Sequence, residues 1–254
     1  MKTTTTRCSI FVTCLVDTFF PEVGIGMVEV LERLGVKLSF PSAQTCCGQP
    51  AYNAGYEHYA RTAARRFVDL FGRDSDDVYI VCPSGSCAAM VKSLYGPLLE
   101  GDAGAVAAWE SVACRTYEFT TFLVEVLGVE DVGAEFDGTV TYHDSCHAPR
   151  ELGISDAPRR LLRSVRGVRL VESRLHDACC GFGGTFSLKL PHIAVAMAEE
   201  KAEALVASGA DVVASTDMGC LMHLGGLIRR RGLPIRTMHV AELLASGPRE
   251  GGKP

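Results

Sequence analysis

The sequence predicts an α/β protein built as two similar parallel βαβ halves, with cysteines on the loops that follow the strands. Three observations carry that expectation. Short apolar runs alternate with longer segments of helical period, the pattern of strands and crossover helices. A shift of 133 positions lays Cys46, Cys47 and Gly48 on Cys179, Cys180 and Gly181, and lays Cys87 on Cys220. Upstream, Cys14 precedes Cys46 by 32 positions and Cys146 precedes Cys179 by 33.

Taken in order, residues 1–6 read as a frayed start, and residues 8–14 (CSIFVTC) read as a buried strand that delivers Cys14 at its C-terminal end. A helix over 21–34, stopped by Gly35, leads to a strand over 36–40 and then to the loop carrying Cys46-Cys47-Gly48. Asn53 is placed to cap an amphipathic helix reaching Phe71, with Arg61, Arg65 and Arg66 on its solvated side. Residues 78–82 form the third strand, Pro83-Ser84-Gly85-Ser86 turns the chain, and Cys87 opens another helix. Residues 100–112 read as a connection and 116–127 as a closing helix.

The second half repeats this order. Strands are expected over 139–143, 168–172 and 211–215, and helices over 159–165 and 191–208. Met218-Gly219-Cys220 takes the place of Gly85-Ser86-Cys87, and a last helix ends at Leu244. The expected domains are therefore 7–128 and 138–246, followed by a flexible tail over 247–254. Right-handed crossovers place the loops that follow parallel strands along one edge of each sheet, where ligands of open α/β sheets bind.

Composition narrows the function classes. The 254 residues are 47% hydrophobic and 22% charged with a net charge of -5, and no basic block suggests nucleic acid. No uninterrupted apolar run reaches the roughly 18 residues of a membrane span, and the short run over 8–16 ends at Asp17 without a cleavage pattern. Eleven cysteines in a large, helix-rich chain indicate a reducing compartment rather than a disulfide scaffold, so a cytoplasmic location is expected.

Four thiolates arriving from separate segments are what an iron–sulfur cluster requires. The repeat supplies two such sets: Cys14, Cys46, Cys47 and Cys87, and Cys146, Cys179, Cys180 and Cys220. The expectation is two 4Fe-4S clusters, one per half. A disulfide between vicinal cysteines would be strained, because adjacent Cα atoms lie about 3.8 Å apart. Structural zinc usually shows C-x2-C knuckles, and none occurs here. Burial as small hydrophobes suits any single cysteine but does not explain an ordered set that repeats.

Gly48, Gly85, Gly181, Gly183, Gly184 and Gly219 could bring backbone N–H groups to anionic sulfur, or could serve as ordinary turn residues. His143, Asp144 and His147 flank Cys146 and are the candidates for moving protons beside a cluster, with hydrogen bonding or packing as the alternative. Cys8 and Cys114 have no counterpart under the repeat and are expected in the core. No flavin or nicotinamide fingerprint is present, since Gly24-x-Gly26 lacks the third glycine.

A lone cysteine, then Cys-Cys-Gly, then a distal cysteine, present in two copies, resembles the cysteine-rich CCG-domain family. That family includes the CCG-bearing component of heterodisulfide reductase and the iron–sulfur component of glycolate oxidase. The longer strings Phe19-Phe20-Pro21-Glu22-Val23-Gly24, Gln44 through Asn53, Cys180 through Phe186 and Asp217 through Met222 resemble the lactate-utilisation members over nearly the whole chain. The resemblance implies an electron-transfer subunit of a complex that oxidises L-lactate to pyruvate, working with lactate-utilisation proteins B and C. It also allows a catalytic cluster of the heterodisulfide-reductase or glycolate-oxidase kind. A non-redox zinc or regulatory module is the third reading. Where the family motif has Cys-x-x-Cys, this chain has Cys82-x4-Cys87 and Cys220-x2-His223. Under the repeat Cys82 falls on Ser215 and His223 on Met90, so both rank below the eight repeated cysteines.

Overall fold

A computed structural model describes residues 5–247. The frayed start and the flexible tail expected from the sequence fall, apart from residues 5, 6 and 247, outside the described residues. Two four-stranded sheets, all parallel, share one topology. The first runs β2-β1-β3-β4, with β1 Arg7–Ile10, β2 Lys37–Ser39, β3 Val78–Cys82 and β4 Thr116–Glu118. The second runs β6-β5-β7-β8, with β5 Glu135–Tyr142, β6 Arg166–Val171, β7 Val212–Ser215 and β8 Arg236–His239.

Each half thus has four strands where the sequence predicts three. The helix expected over 116–127 starts late: residues 116–118 extend alongside β3, and Glu118 then accepts from the N–H groups of Thr120 and Thr121 to start the helix. Residues 236–239 do the same beside β7, with His239 as the cap. The connection expected over 100–112 is largely the helix Ala103–Cys114, made by an alanine-rich stretch that Asp102 caps at Ala105 N, 3.0 Å away. Asn53 closes the short helix Gln49–Asn53 rather than capping a long one. Gly55, at φ 81°, breaks the path before Glu57–Phe71 begins. Strand β1 stops at Ile10, so Cys14 opens the helix Cys14–Phe19 instead of ending a strand.

Apolar packing joins the two halves. Helix Pro21–Arg33 turns Val23, Met27 and Val30 onto Val240, Leu243 and Leu244 of the helix Val240–Ala245, and Leu161 and Leu162 complete the same cluster. Gly26 allows this approach, because a Cβ there would lie 3.1 Å from the Ala241 carbonyl oxygen. Each half also keeps a private core behind its cysteines. The first holds Phe11, Phe67, Phe71 and Tyr95; the second holds Ala198, Leu205, Leu224 and Ile228. The C-terminal edges of the sheets meet through Gly85 N donating to Thr216 O (3.1 Å), Ser86 N donating to Asp217 Oδ2 (3.2 Å), and His239 Nε2 donating to Pro83 O (3.0 Å).

Candidate functional site

The loops that follow β1, β2 and β3, and their counterparts after β5, β6 and β7, converge where the two sheet edges face each other. Cys14, Cys46, Cys47, Cys87, Cys146, Cys179, Cys180 and Cys220 all line one cavity of about 160 Å³ there. Within the first set, the Cys14 and Cys46 sulfurs lie 3.5 Å apart, and so do those of Cys47 and Cys87. In the second set the Cys180 and Cys220 sulfurs are 3.0 Å apart. All eleven cysteines are free thiols, so neither vicinal pair is bridged.

Each Cys-Cys-Gly turn is shaped by its glycine. Gly48 and Gly181 both have φ near 86°, a left-handed conformation that disfavours a side chain. A Cβ on Gly48 would meet Ala63 Cβ at 2.9 Å, and one on Gly181 would meet the Ala194 carbonyl oxygen at 2.6 Å. With no side chain in the way, Gly48 N donates to Cys46 Sγ and Gly181 N to Cys179 Sγ, both at 3.4 Å. Phe182 N adds a contact of 3.5 Å to Cys180 Sγ. Cys14 follows Thr13, whose φ of 70° makes it the one non-glycine residue in the left-handed region among the described residues. For a β-branched residue that is a strained conformation, of the kind found where a neighbouring side chain must be aimed.

These contacts select the first thiolate in each set. Hydrogen bonds from the Cys14 and Cys47 thiols, helped by the Gly48 N–H, push Cys46 far below the ordinary thiol range. Those from Cys146 and Cys180, with the Gly181 N–H, do the same for Cys179. Cys14, Cys47, Cys146 and Cys180 are pushed up, first by donating those bonds and then by burial. Each set therefore presents one thiolate to a thiophilic metal, and a metal held there would displace the protons of the thiols pushed up beside it. The donor set, eight free soft sulfurs with backbone N–H groups aimed at them, fits an iron–sulfur group.

The other sequence candidates are placed differently. His147 lines the cavity, its Nδ1 3.6 Å from Cys146 Sγ. Asp144 lies behind it, buried, in a two-pronged ion pair with Arg159 (2.7 and 2.8 Å) and 2.7 Å from His176 Nδ1. Its charge is taken up by that network. His143 is wholly buried, and burial holds it down to about 3, as a neutral imidazole. Cys82 is buried, does not line the cavity, and gives its thiol hydrogen to Ser84 O at 3.4 Å. His223 faces Ala194 O at 3.3 Å. Cys8 is in the core as expected, but Cys114 is exposed, because the helix Ala103–Cys114 turns Val112 and Ala113 inward and leaves its last residue outside.

Sequence reasoning missed three residues that hold the cysteine loops. Gln44 accepts from Val12 N and donates to Ile10 O and Pro41 O, tying the Cys46 loop to the end of β1. Tyr95 OH donates to Cys47 O at 2.8 Å. Lys201 is buried and donates to the carbonyls of Leu175, His176 and Ala178, just before Cys179. Their spacing from the cysteines follows no period, and only the glutamine carried a cue, from its place in the Gln44-Thr45-Cys46-Cys47 string.

The family model for the CCG cysteine-rich domain matches residues 8–92 and again 140–225. The chain belongs to this family. Lactate utilization protein A of Geobacillus kaustophilus is 52% identical over 238 residues, covering 94% of this chain and 98% of that protein. The protein of the same name from Oceanobacillus iheyensis is 46% identical over 250 residues, covering 97% and 99%. Among solved structures, a hypothetical protein from Helicobacter pylori superposes with a TM-score of 0.68 at 11% identity, over 96% of this chain and 50% of that one. That likeness concerns the fold alone.

Proposed function

We propose that the chain is an iron–sulfur electron-transfer subunit in the oxidation of L-lactate to pyruvate, holding two 4Fe-4S clusters, one on each set of four cysteines. The observation that carries this reading is the convergence of eight free thiols, four from each half, on one cavity. The full-length likeness to lactate utilization proteins A supplies the pathway. The same likeness suggests lactate-utilisation proteins B and C as partners. No helix among the described residues is long and apolar enough to cross a membrane, and a reducing cytoplasm would keep the thiols free. Bound there, the clusters would supply one-electron steps. The chain's own residues would hold the sulfurs, donate N–H groups to them and screen them from water.

Anaerobically purified chain should be brown and should carry iron and sulfide. Alone it should show negligible lactate-dependent dye reduction, and together with the B and C proteins it should be active. A colourless, iron-free protein that binds zinc instead overturns the reading.

A second reading, in which a cluster is itself catalytic, is favoured by the shared cavity, because a substrate entering it would touch both sets of thiols beside His147 and Ser145. Lactate-dependent dye reduction by the isolated chain, with a substrate-induced change in the cluster's magnetic resonance, would establish that reading over the first.

A further inference from the structure

The two halves differ directly behind their cysteines. Phe11 N donates to Val81 O (2.9 Å) after β1, and His143 N donates to Ala214 O (2.8 Å) after β5, so His143 occupies the backbone position of Phe11. Phe11 is an apolar ring packed edge-on against Phe67. His143 has the same complete burial but carries two ring nitrogens. Its Nδ1 lies 3.2 Å from His176 O, a carbonyl that can only accept, so Nδ1 carries the proton. The other nitrogen, Nε2, is then a bare lone pair. It is buried and has no hydrogen-bond partner among the described residues. One ring nitrogen and the sulfurs of Cys180 and Cys220 all lie within 4.8 Å of one another.

The geometry points to His143 Nε2 as a metal ligand of the second half, which makes that centre a mixed cysteine–histidine site and leaves the first an all-thiolate one. An unpartnered acceptor is destabilising when buried, and a metal between the imidazole and the two thiolates would satisfy it. Anchoring the other ring N–H on a backbone carbonyl is how ligating histidines are ordinarily oriented. A cluster of four irons offers four ligand positions, so the imidazole would stand in for one of the four cysteines of that set, and neutral nitrogen in place of anionic sulfur raises a cluster's reduction potential. The second centre is therefore the easier one to reduce, and electrons entering through the first would collect there. This inference rests on the cluster reading proposed above.

The test uses full-length protein purified anaerobically with 15N-labelled histidine, in a Cys47→Ser background that leaves the second centre to be read alone. Pulsed magnetic resonance should show one directly bound imidazole nitrogen, and His143→Phe, which copies the first half's residue, should abolish that coupling. His143→Cys, a thiolate replacement, should keep the iron and shift the potential of this centre downward. Iron and sulfide for one whole cluster with no coupling of ligand size overturns the histidine assignment, and so does a coupling that survives in His143→Phe. Absence of iron and sulfide from the unmutated chain overturns the cluster reading instead.

Discussion

Behind the first set of cysteines the chain places Phe11 against Phe67, with ring centroids 4.9 Å apart; behind the second set the matching places hold His143 and Lys201. The match is fixed by the glycine turns, since Gly48 sits over Ala60 and Ala63 just as Gly181 sits over Ala194 and Met197. An aromatic pair in one half has become a polar pair in the other, within the same backbone. The caps after β4 and β8 differ in the same way. Glu118 holds one and His239 the other, and burial raises the carboxyl but lowers the imidazole to about 4. The repeat therefore conserves the sulfur frame while each half sets its own electrostatics around it, and two centres on one frame need not share a potential.

The sharpest way to break the comparison is to remove one vicinal cysteine from each half. Cys47→Ser should lose about half of the iron, and Cys180→Ser the other half, because each set carries its own ligands. Iron analysis on both folded variants is the check. If each variant loses all its iron, the sulfurs that line the common cavity form one site and the halves are not independent.

Polar support behind the second set should be costly to remove. Lys201→Met takes the ammonium donor from the Ala178 carbonyl and one of several donors from those of Leu175 and His176, which keep Ala178 N and Asp144 N, and should cost about 2 kcal/mol. Phe67→Leu, an apolar exchange at the matched place, should cost about 1 kcal/mol. Urea unfolding of the two variants measures the difference, and equal losses would remove the distinction between the halves.

The caps predict opposite responses to pH. Folded His239 takes a proton only near pH 4, whereas in the unfolded chain it does so near 6.5. Stability is therefore intact above 6.5 and is lost as pH falls toward 4, by roughly 3 kcal/mol in full. The Pro83 carbonyl opposes this shift first, then the charge of Asp217 and the Thr216 backbone, yet burial outweighs them. His239→Asn keeps a helix cap that cannot be protonated and should flatten the acid limb relative to the unmutated chain. Glu118, raised by burial, acts in the other direction, weakening the fold as pH rises through the carboxylate range. An unchanged acid slope in His239→Asn would show that the buried imidazole is not what separates the two caps.

What could be read from the sequence was whatever repeats locally. The cysteines stand at fixed offsets beside glycine, and β3 and the helix Pro21–Arg33 carry their own period and boundary residues. The fourth strands escaped notice because three or four residues, Thr116–Glu118 and Arg236–His239, are too short to show alternation before a helix begins. Ala103–Cys114 escaped because its alanine-rich surface has little amphipathic contrast. Lys201 reads as a solvated helix residue until the fold brings three carbonyls to it, and His143 gains its meaning only from Phe11, 132 positions earlier.

The smallest expected effect falls on Cys82. It lies near the place where the family motif has an extra cysteine, yet the matched residue in the second half is Ser215, whose hydroxyl donates to His143 O at 2.9 Å. The Cys82 thiol donates to Ser84 O in a comparable way, is wholly buried, and is pushed well above the ordinary thiol range by burial first and by the nearby Cys87 second. A thiol that stands outside the cavity lining and is turned toward a carbonyl is a poor ligand. Cys82→Ser should therefore leave iron content and visible spectrum unchanged and cost at most about 1 kcal/mol, since serine reproduces the donor with a smaller atom. Loss of iron from this variant alone would make the first centre a five-cysteine site, and the contrast between the halves would then lie in an added thiolate on one side as well as a histidine on the other.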